Sequence, residues 1–264
     1  MADTVPNMRT VVEPRKGKGF AYNTGIAHAR GKFLMFTDDD VRVSASWIDD
    51  ICEAMEVTGA DAVAGGVALP PSLVQPWMTD MHLMLMASTA QLDRVSPQNL
   101  VGANMAIGRW VFEGIPGFDP ELGPGALGFC DEVLLSMQMK SAGMQIRGAL
   151  HVEIEHHLDP SRLTPKGFID RARGEGRSLA YIAYHWSHER VTRPHLKLAK
   201  RLVLARVQRR HCNGIPNSVN AQYLALCRDI AYLQQYLREC KRPRNYAYHG
   251  LVKLNGLLPC ASPS

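Results

Sequence analysis

The chain is expected to fold as an α/β domain, a mostly parallel sheet flanked by helices, with a helical C-terminal appendage. Three observations carry this expectation. Apolar runs alternate with amphipathic stretches over residues 21–65, which is the strand, helix, strand order of an α/β unit. The run 32–37 (KFLMFT) is apolar almost throughout, as a strand covered on both faces must be. From Pro165 onward the chain turns helical and basic. The division expected is a catalytic-type domain over 1–185 and a basic helical region over 186–264.

Taken in order, 9–12 is a short strand candidate and 14–19 a basic, Gly-rich loop. Residues 21–30 predict a helix stopped by Gly31. Ser46 is placed to cap a helix running to about Thr58, with Asp49 and Asp50 where the helix dipole favours them. A strand follows at 61–65, then an irregular Met- and Pro-rich stretch to 98, then a strand over 99–107. A short helix is expected at 109–113 and a Gly/Pro-rich loop to 127. Residues 131–142 predict a helix with Gly143 just past its end. Residues 145–154 hold one or two strands, and helices are expected near 165–185, 194–210 and 217–240, with a loosely ordered tail from Lys241.

Composition narrows the class. The chain has 264 residues, 46% of them hydrophobic, enough to bury a sizeable core. Its formal charge of +5 suits an anionic ligand or membrane surface, and no motif or aromatic interleaving points to nucleic acid. The six cysteines show no C-x-x-C spacing, so no zinc or redox motif is expected. No apolar run reaches the roughly 18 residues that span a bilayer. A cytoplasmic location is expected, with the inner face of the membrane as a further place of action.

The chemistry centres on Phe36-Thr37-Asp38-Asp39-Asp40, at the carboxyl end of the apolar run. Adjacent carboxylates repel one another unless a cation neutralises them. In open α/β sheets, ligands bind beyond the carboxyl ends of the strands. A divalent metal with a diphosphate fits this position, and a solvated turn that caps the next helix is the plain alternative.

The segment 19–40 (GFAYNTGIAHARGKFLMFTDDD) resembles the core of family-2 glycosyltransferases with the Rossmann-like GT-A fold. Ala21, Asn23, Gly25, Ala29 and Gly31 match its pattern, while Tyr22 stands where the family usually has Arg. A second block is also similar: Gly102-Ala-Asn104, then Gly117-Phe118-Asp119, then Asp131-Glu132 at a helix start. The family's pair reads Glu-Asp, so the order is reversed here. The resemblance implies an inverting, metal-dependent transfer from a nucleoside-diphosphate sugar to a saccharide or lipid-linked acceptor, as in polysaccharide biosynthesis, with Mg²⁺ or Mn²⁺ as cofactor. It implies Asp38, Asp39, Asn23, Gly25 and Arg162 as donor-binding residues. It makes Asp40, Asp38 and His157 metal ligands. It places Glu132 on the catalytic base and Asp131 on a supporting carboxylate. Direct displacement needs such a base to take the acceptor hydroxyl's proton.

The resemblance covers about 11–176. Family members carry further nucleotide-binding strands ahead of this region, and 1–9 do not supply them. An inactive or truncated remnant acting in partner or membrane binding is therefore the alternative expectation. The stretch 194–210 mixes apolar residues with Lys197, Lys200, Arg201, Arg206, Arg209 and Arg210. It reads either as an interfacial helix on anionic lipid or as an amphipathic helix packed on the domain with a solvated basic face.

Overall fold

A computed structural model describes residues 8–93, 99–209 and 219–254. The chain begins with α1 (Lys18–His28), β1 (Phe33–Thr37), β2 (Val41–Arg42), α2 (Trp47–Thr58) and β3 (Ala62–Ala68). An irregular excursion holds the short α3 (Asp80–Leu85) and leads to β4 (Asn104–Gly108) and α4 (Val111–Gly114). Then come α5 (Asp131–Ser141), β5 (Ile146–His156), α6 (Pro165–His185), α7 (Pro194–Arg209) and α8 (Ala221–Glu239).

Local chemistry sets several of the boundaries. Pro165 opens α6, where a missing N–H costs nothing, and the Thr164 hydroxyl accepts from the Gly167 amide. The Asn220 side chain caps α8 through the Gln222 amide. Gly59 closes α2 in the left-handed conformation, at φ 58°. Ser46 does stand at the N-cap of α2, but its hydroxyl donates to the Asp50 carboxylate at 2.7 Å instead of accepting from the backbone.

Among the described residues, five strands run in the order β1-β4-β3-β5-β2. The α/β class holds, and the expected mostly parallel pairing is corrected to a mixed sheet. Only β3 and β5 are parallel; β1–β4, β3–β4 and β2–β5 are antiparallel. The reason lies in the excursion 69–103, which returns the chain at the end where β3 finishes, so β4 must run back. Three further expectations are corrected. Among the described residues, 9–12 pair with no strand, and β4 starts only at Asn104. Over 241–254 the tail is packed, with Asn245, Tyr246 and Lys253 buried. Cys212, Cys260, the start of the helix expected at 217 and the tail beyond 254 lie outside the described residues.

The two faces of the sheet are both covered, as the apolar run required. Leu34 and Phe36 alternate with Phe33 and Met35 along β1. The first pair joins Met105, Ile107, Phe118, Leu135 and Met139. The second packs with Trp47, Ile51 and Met55 of α2. Gly65 and Gly66 mark an irregularity between β3 and β5, where Gly65 faces Ala149 and Gly66 faces Glu153. A Cβ on Gly66 would lie 2.4 Å from the Leu150 carbonyl oxygen, so only glycine admits that bend. β1 is a sheet edge, and an apolar groove of about 320 Å³ runs beside it, lined by Gly25, Ile26, Leu34 and Phe36.

Both sides of residue 185 share cores. Tyr246 clusters with Leu122, Tyr181 and Ile182, and Leu224 clusters with Phe168 and Leu85.

Candidate active site

The acidic triplet occupies the turn between β1 and β2. β2 pairs with β5 so that Val41 faces His156, which brings the end of β5 against the triplet. The Asp40 carbonyl accepts from the His157 amide at 2.7 Å and fixes that register. One ligand atom each from Asp38, Asp40 and His156 fall within 4.8 Å of one another.

His156 Nε2 lies 3.1 Å from Asp40 Oδ1, and its Nδ1 lies 3.2 Å from the Met86 carbonyl oxygen. A carbonyl can only accept, so Nδ1 carries a proton. A neutral His156 then turns the bare lone pair of Nε2 toward a carboxylate oxygen. Two acceptors at that distance repel unless a proton or a cation lies between them. A ring fixed by a backbone carbonyl while its other nitrogen faces carboxylates is the usual setting of a metal-ligating histidine. Two carboxylates with one imidazole form a donor set that fits Mn²⁺, and Mg²⁺ with more of its water retained.

Cations line the same site. Lys18, at the first position of α1, donates to Asp38 Oδ1 at 2.6 Å. Burial pulls the Lys18 pKa down, but Tyr22 and Asp38 outweigh it and raise the net value. Arg162 donates to Asp40 Oδ2 at 3.2 Å. Arg171 of α6 donates to the Leu85 carbonyl. Burial, then repulsion from Arg162, lower its pKa to about 10, against a small opposing pull from Asp40.

Asp131 and Glu132 open α5. Cys130 precedes them with φ 67°, a left-handed backbone that is strained for a residue with a side chain. Burial pushes its thiol pKa well up, which disfavours the reactive thiolate. Asp131 is buried, and a Cβ on Gly123 would lie 2.9 Å from its carboxyl carbon, which is why the loop needs glycine there at φ +78°. Burial, and then the charge and hydrogen bond of Asp131, push the Glu132 carboxyl well above the ordinary range. A Cβ on Gly102 would lie 3.6 Å from Lys18 Nζ and 3.9 Å from Glu132 Oε2. Gly102 thus leaves open the space between the triplet and the α5 carboxyl pair.

The structure brings together Asp38, Asp40, Arg162, Asp131 and Glu132 of the residues expected from the sequence. Four others are placed elsewhere. His157 turns from the triplet and lies against Glu155; the histidine beside the aspartates is His156. The physical reason is strand parity, since neighbouring side chains on β5 point to opposite faces. Asn23 is buried, and both ends of its amide bond the Phe118 backbone, at 2.8 and 2.7 Å. It pins α1 to the Gly117 loop. Gly25 opens onto the groove beside β1, and Asp39 is exposed between its two neighbours. Lys18 and Arg171 were not singled out from sequence, and of the histidine pair 156–157 the sequence reading took His157 as the ligand. Lys18 carried a faint signal as one of several cations in a Gly-rich loop.

The site thus combines carboxylates at a strand end, an imidazole beside them and a carboxyl pair across from Gly102. Residues 2–114, a little under half of the chain, match the glycosyl transferase family 2 model. No curated protein sequence matches the chain. Among solved structures it is similar to glucosyl-3-phosphoglycerate synthase from Mycobacterium tuberculosis in complex with Mn²⁺, uridine diphosphate and phosphoglyceric acid. That overlap has 17% identity and a TM-score of 0.40, over 66% of this chain and 55% of that one. A complex of the same synthase with Mg²⁺ and uridine diphosphate overlaps at 18% identity and a TM-score of 0.38, over 61% and 54%. The chain spans about half the length of these structures.

Proposed function

We propose that the chain transfers a sugar from a nucleoside-diphosphate donor to a saccharide or lipid-linked acceptor hydroxyl, with inversion at the anomeric carbon. The observation that carries this reading is the Asp38, Asp40 and His156 cluster, its ligand atoms within 4.8 Å, with Lys18 and Arg162 bonded to its carboxylates. Asp38, Asp40 and His156 would hold Mg²⁺ or Mn²⁺, which supplies charge neutralisation for a departing diphosphate. Arg162 has the fork to grip phosphate oxygens, and Arg171 adds positive charge behind it. Lys18 holds the Asp38 carboxylate in place and keeps its own charge beside the donor.

Glu132 takes the acceptor proton in this reading. Its raised pKa brings a carboxylate closer to the basicity of a general base at neutral pH. Asp131 sustains that shift through its charge and hydrogen bond, so the pair acts as a unit. Inversion requires the base on the face opposite the leaving diphosphate, and Glu132 lies across the Gly102 gap from Lys18 and Asp38.

The test is a donor-cleavage assay with full-length chain, Mn²⁺ and a panel of nucleoside-diphosphate sugars, read with and without saccharide acceptors. The expected result is metal-dependent release of nucleoside diphosphate that needs Asp40 and an acceptor. No release with any donor, together with retained fold, favours the remnant reading. A product that keeps the donor's anomeric configuration removes the assignment of Glu132 as direct base.

A further inference from the structure

We infer that α7 is an interfacial helix that docks the chain on an anionic lipid surface. This inference does not rest on the sugar-transfer reading and is tested apart from it.

None of the described side chains on α7 is buried. The helix rests on α8 along one narrow stripe, where Leu198 and Ala205 are half-buried and Arg201 pairs with Asp229 at 3.1 Å. Cavities of about 650 and 420 Å³ flank this seat on either side, so α7 is held at a line of contact and not in a groove. Leu196 and Val203 lie about half a turn round the helix from Leu198 and Ala205. They are 62% and 60% exposed, so an apolar face points straight out from the molecule. Lys197 and Lys200 flank that face on the side of the larger cavity and Arg206 on the side of the smaller, all three exposed. Among the described residues no ion pair is recorded for these three, and α7 contains no acidic residue.

This combination discriminates between occupants. An outward apolar strip within a purely basic rim repels a second copy of itself, because like charges would meet across a two-fold contact. It complements a surface that offers negative headgroups around an apolar interior. Lysine and arginine stems lie along the apolar layer while their charged ends reach the phosphates. No described helix is long and apolar enough to cross a membrane, so contact through α7 is peripheral.

The test uses the full chain and vesicles of phosphatidylcholine with or without phosphatidylglycerol, read by co-sedimentation. The inference expects binding only with phosphatidylglycerol, weakening as salt rises above about 0.1 M. The double variant Leu196→Ser/Val203→Ser should lower the partition at least about tenfold. The triple variant Lys197→Glu/Lys200→Glu/Arg206→Glu should lower it about a hundredfold or more. Both keep a native far-UV spectrum, since every substituted side chain is exposed. Equal sedimentation with both vesicle types, or none with either, overturns the inference. So does a dimer in sedimentation velocity that disappears in the Leu196→Ser/Val203→Ser variant, which would assign this face to a second copy.

Discussion

At the scale of single residues, the site turns on which side chain stands next to which carboxylate. His156 and His157 are neighbours in the chain, and sequence alone offers no means of choosing between them. The pairing of Val41 with His156 makes the choice, because it decides which histidine lies on the triplet's side of β5. Lys18 was hidden for a related reason: its contact with Asp38 spans a helix and a strand. Asp38, Asp40 and Glu132 were legible because carboxylates clustered past an apolar strand, or at a helix start, are chemically conspicuous. Asn23 matched a motif, yet it serves the fold through two bonds to Phe118.

Glu132 gives a prediction with two readouts. In the proposed role, Glu132→Gln lowers the transfer rate by about 10²–10⁴ while donor binding persists. Its raised pKa also has a sign for stability. A carboxyl with a folded pKa above its unfolded value contributes stability at low pH and loses it as pH rises through the folded pKa. The variant should therefore be more stable than the parent at neutral pH, with the gap closing as pH falls. Thermal melts across pH check this. A variant less stable at neutral pH would mean that the carboxyl is not strained by burial.

At the scale of elements, helix punctuation was readable. The bounds of α6 match the expected 165–185, because Pro165 announces its start. Strand direction was not readable, since an apolar run looks the same in either orientation and β4 reverses only through the long excursion before it. The packing of α6 on α8 was equally invisible, although it depends on a glycine inside α6. A Cβ at Gly176 would lie 2.2 Å from the Arg228 carbonyl oxygen. Gly176→Ala therefore pushes two backbones apart, and the gain in helix propensity does not offset it. Urea unfolding should show a loss of about 1–3 kcal/mol. An unchanged midpoint would mean that the two helices part without cost.

At the scale of the whole molecule, the packed segment 241–254 ties the C-terminal helices to the loop that precedes α5. Lys253 donates to Asp119 at 2.7 Å and to Glu121 at 2.9 Å, and Tyr181 and Tyr246 donate to the same Asp119 carboxylate. A tail rich in Lys and Arg reads as solvated in sequence, because Asp119 and Glu121, which hold Lys253, lie more than a hundred residues away. Burial raises the pKa values of Glu121 and Glu239, but their bonds outweigh it. Lys253 and Arg242 act on Glu121, and His185, Gln235 and Arg242 on Glu239, so both end below the usual value. Depressed carboxyls contribute stability above their unfolded pKa and lose it as pH falls through the folded one. Stability should therefore fall below about pH 4.5, the ordinary value of both groups. Glu132 and Glu175, raised chiefly by burial, act oppositely and weaken the fold as pH rises. Melting temperature should pass through a maximum on the mildly acid side of neutrality. A monotonic rise toward alkaline pH would contradict this balance.

The central claim is that Asp38, Asp40 and His156 form a metal-diphosphate site. Titration calorimetry of the full chain with uridine, guanosine, cytidine, adenosine and thymidine diphosphates, each with and without Mn²⁺, tests it most directly. Heat is expected from at least one diphosphate only when Mn²⁺ is present. Affinity should fall by more than about a hundredfold in Asp40→Asn/His156→Gln, beyond what loss of an outer-shell partner brings. Absence of heat with every diphosphate, or binding that the double variant leaves unchanged, would contradict it.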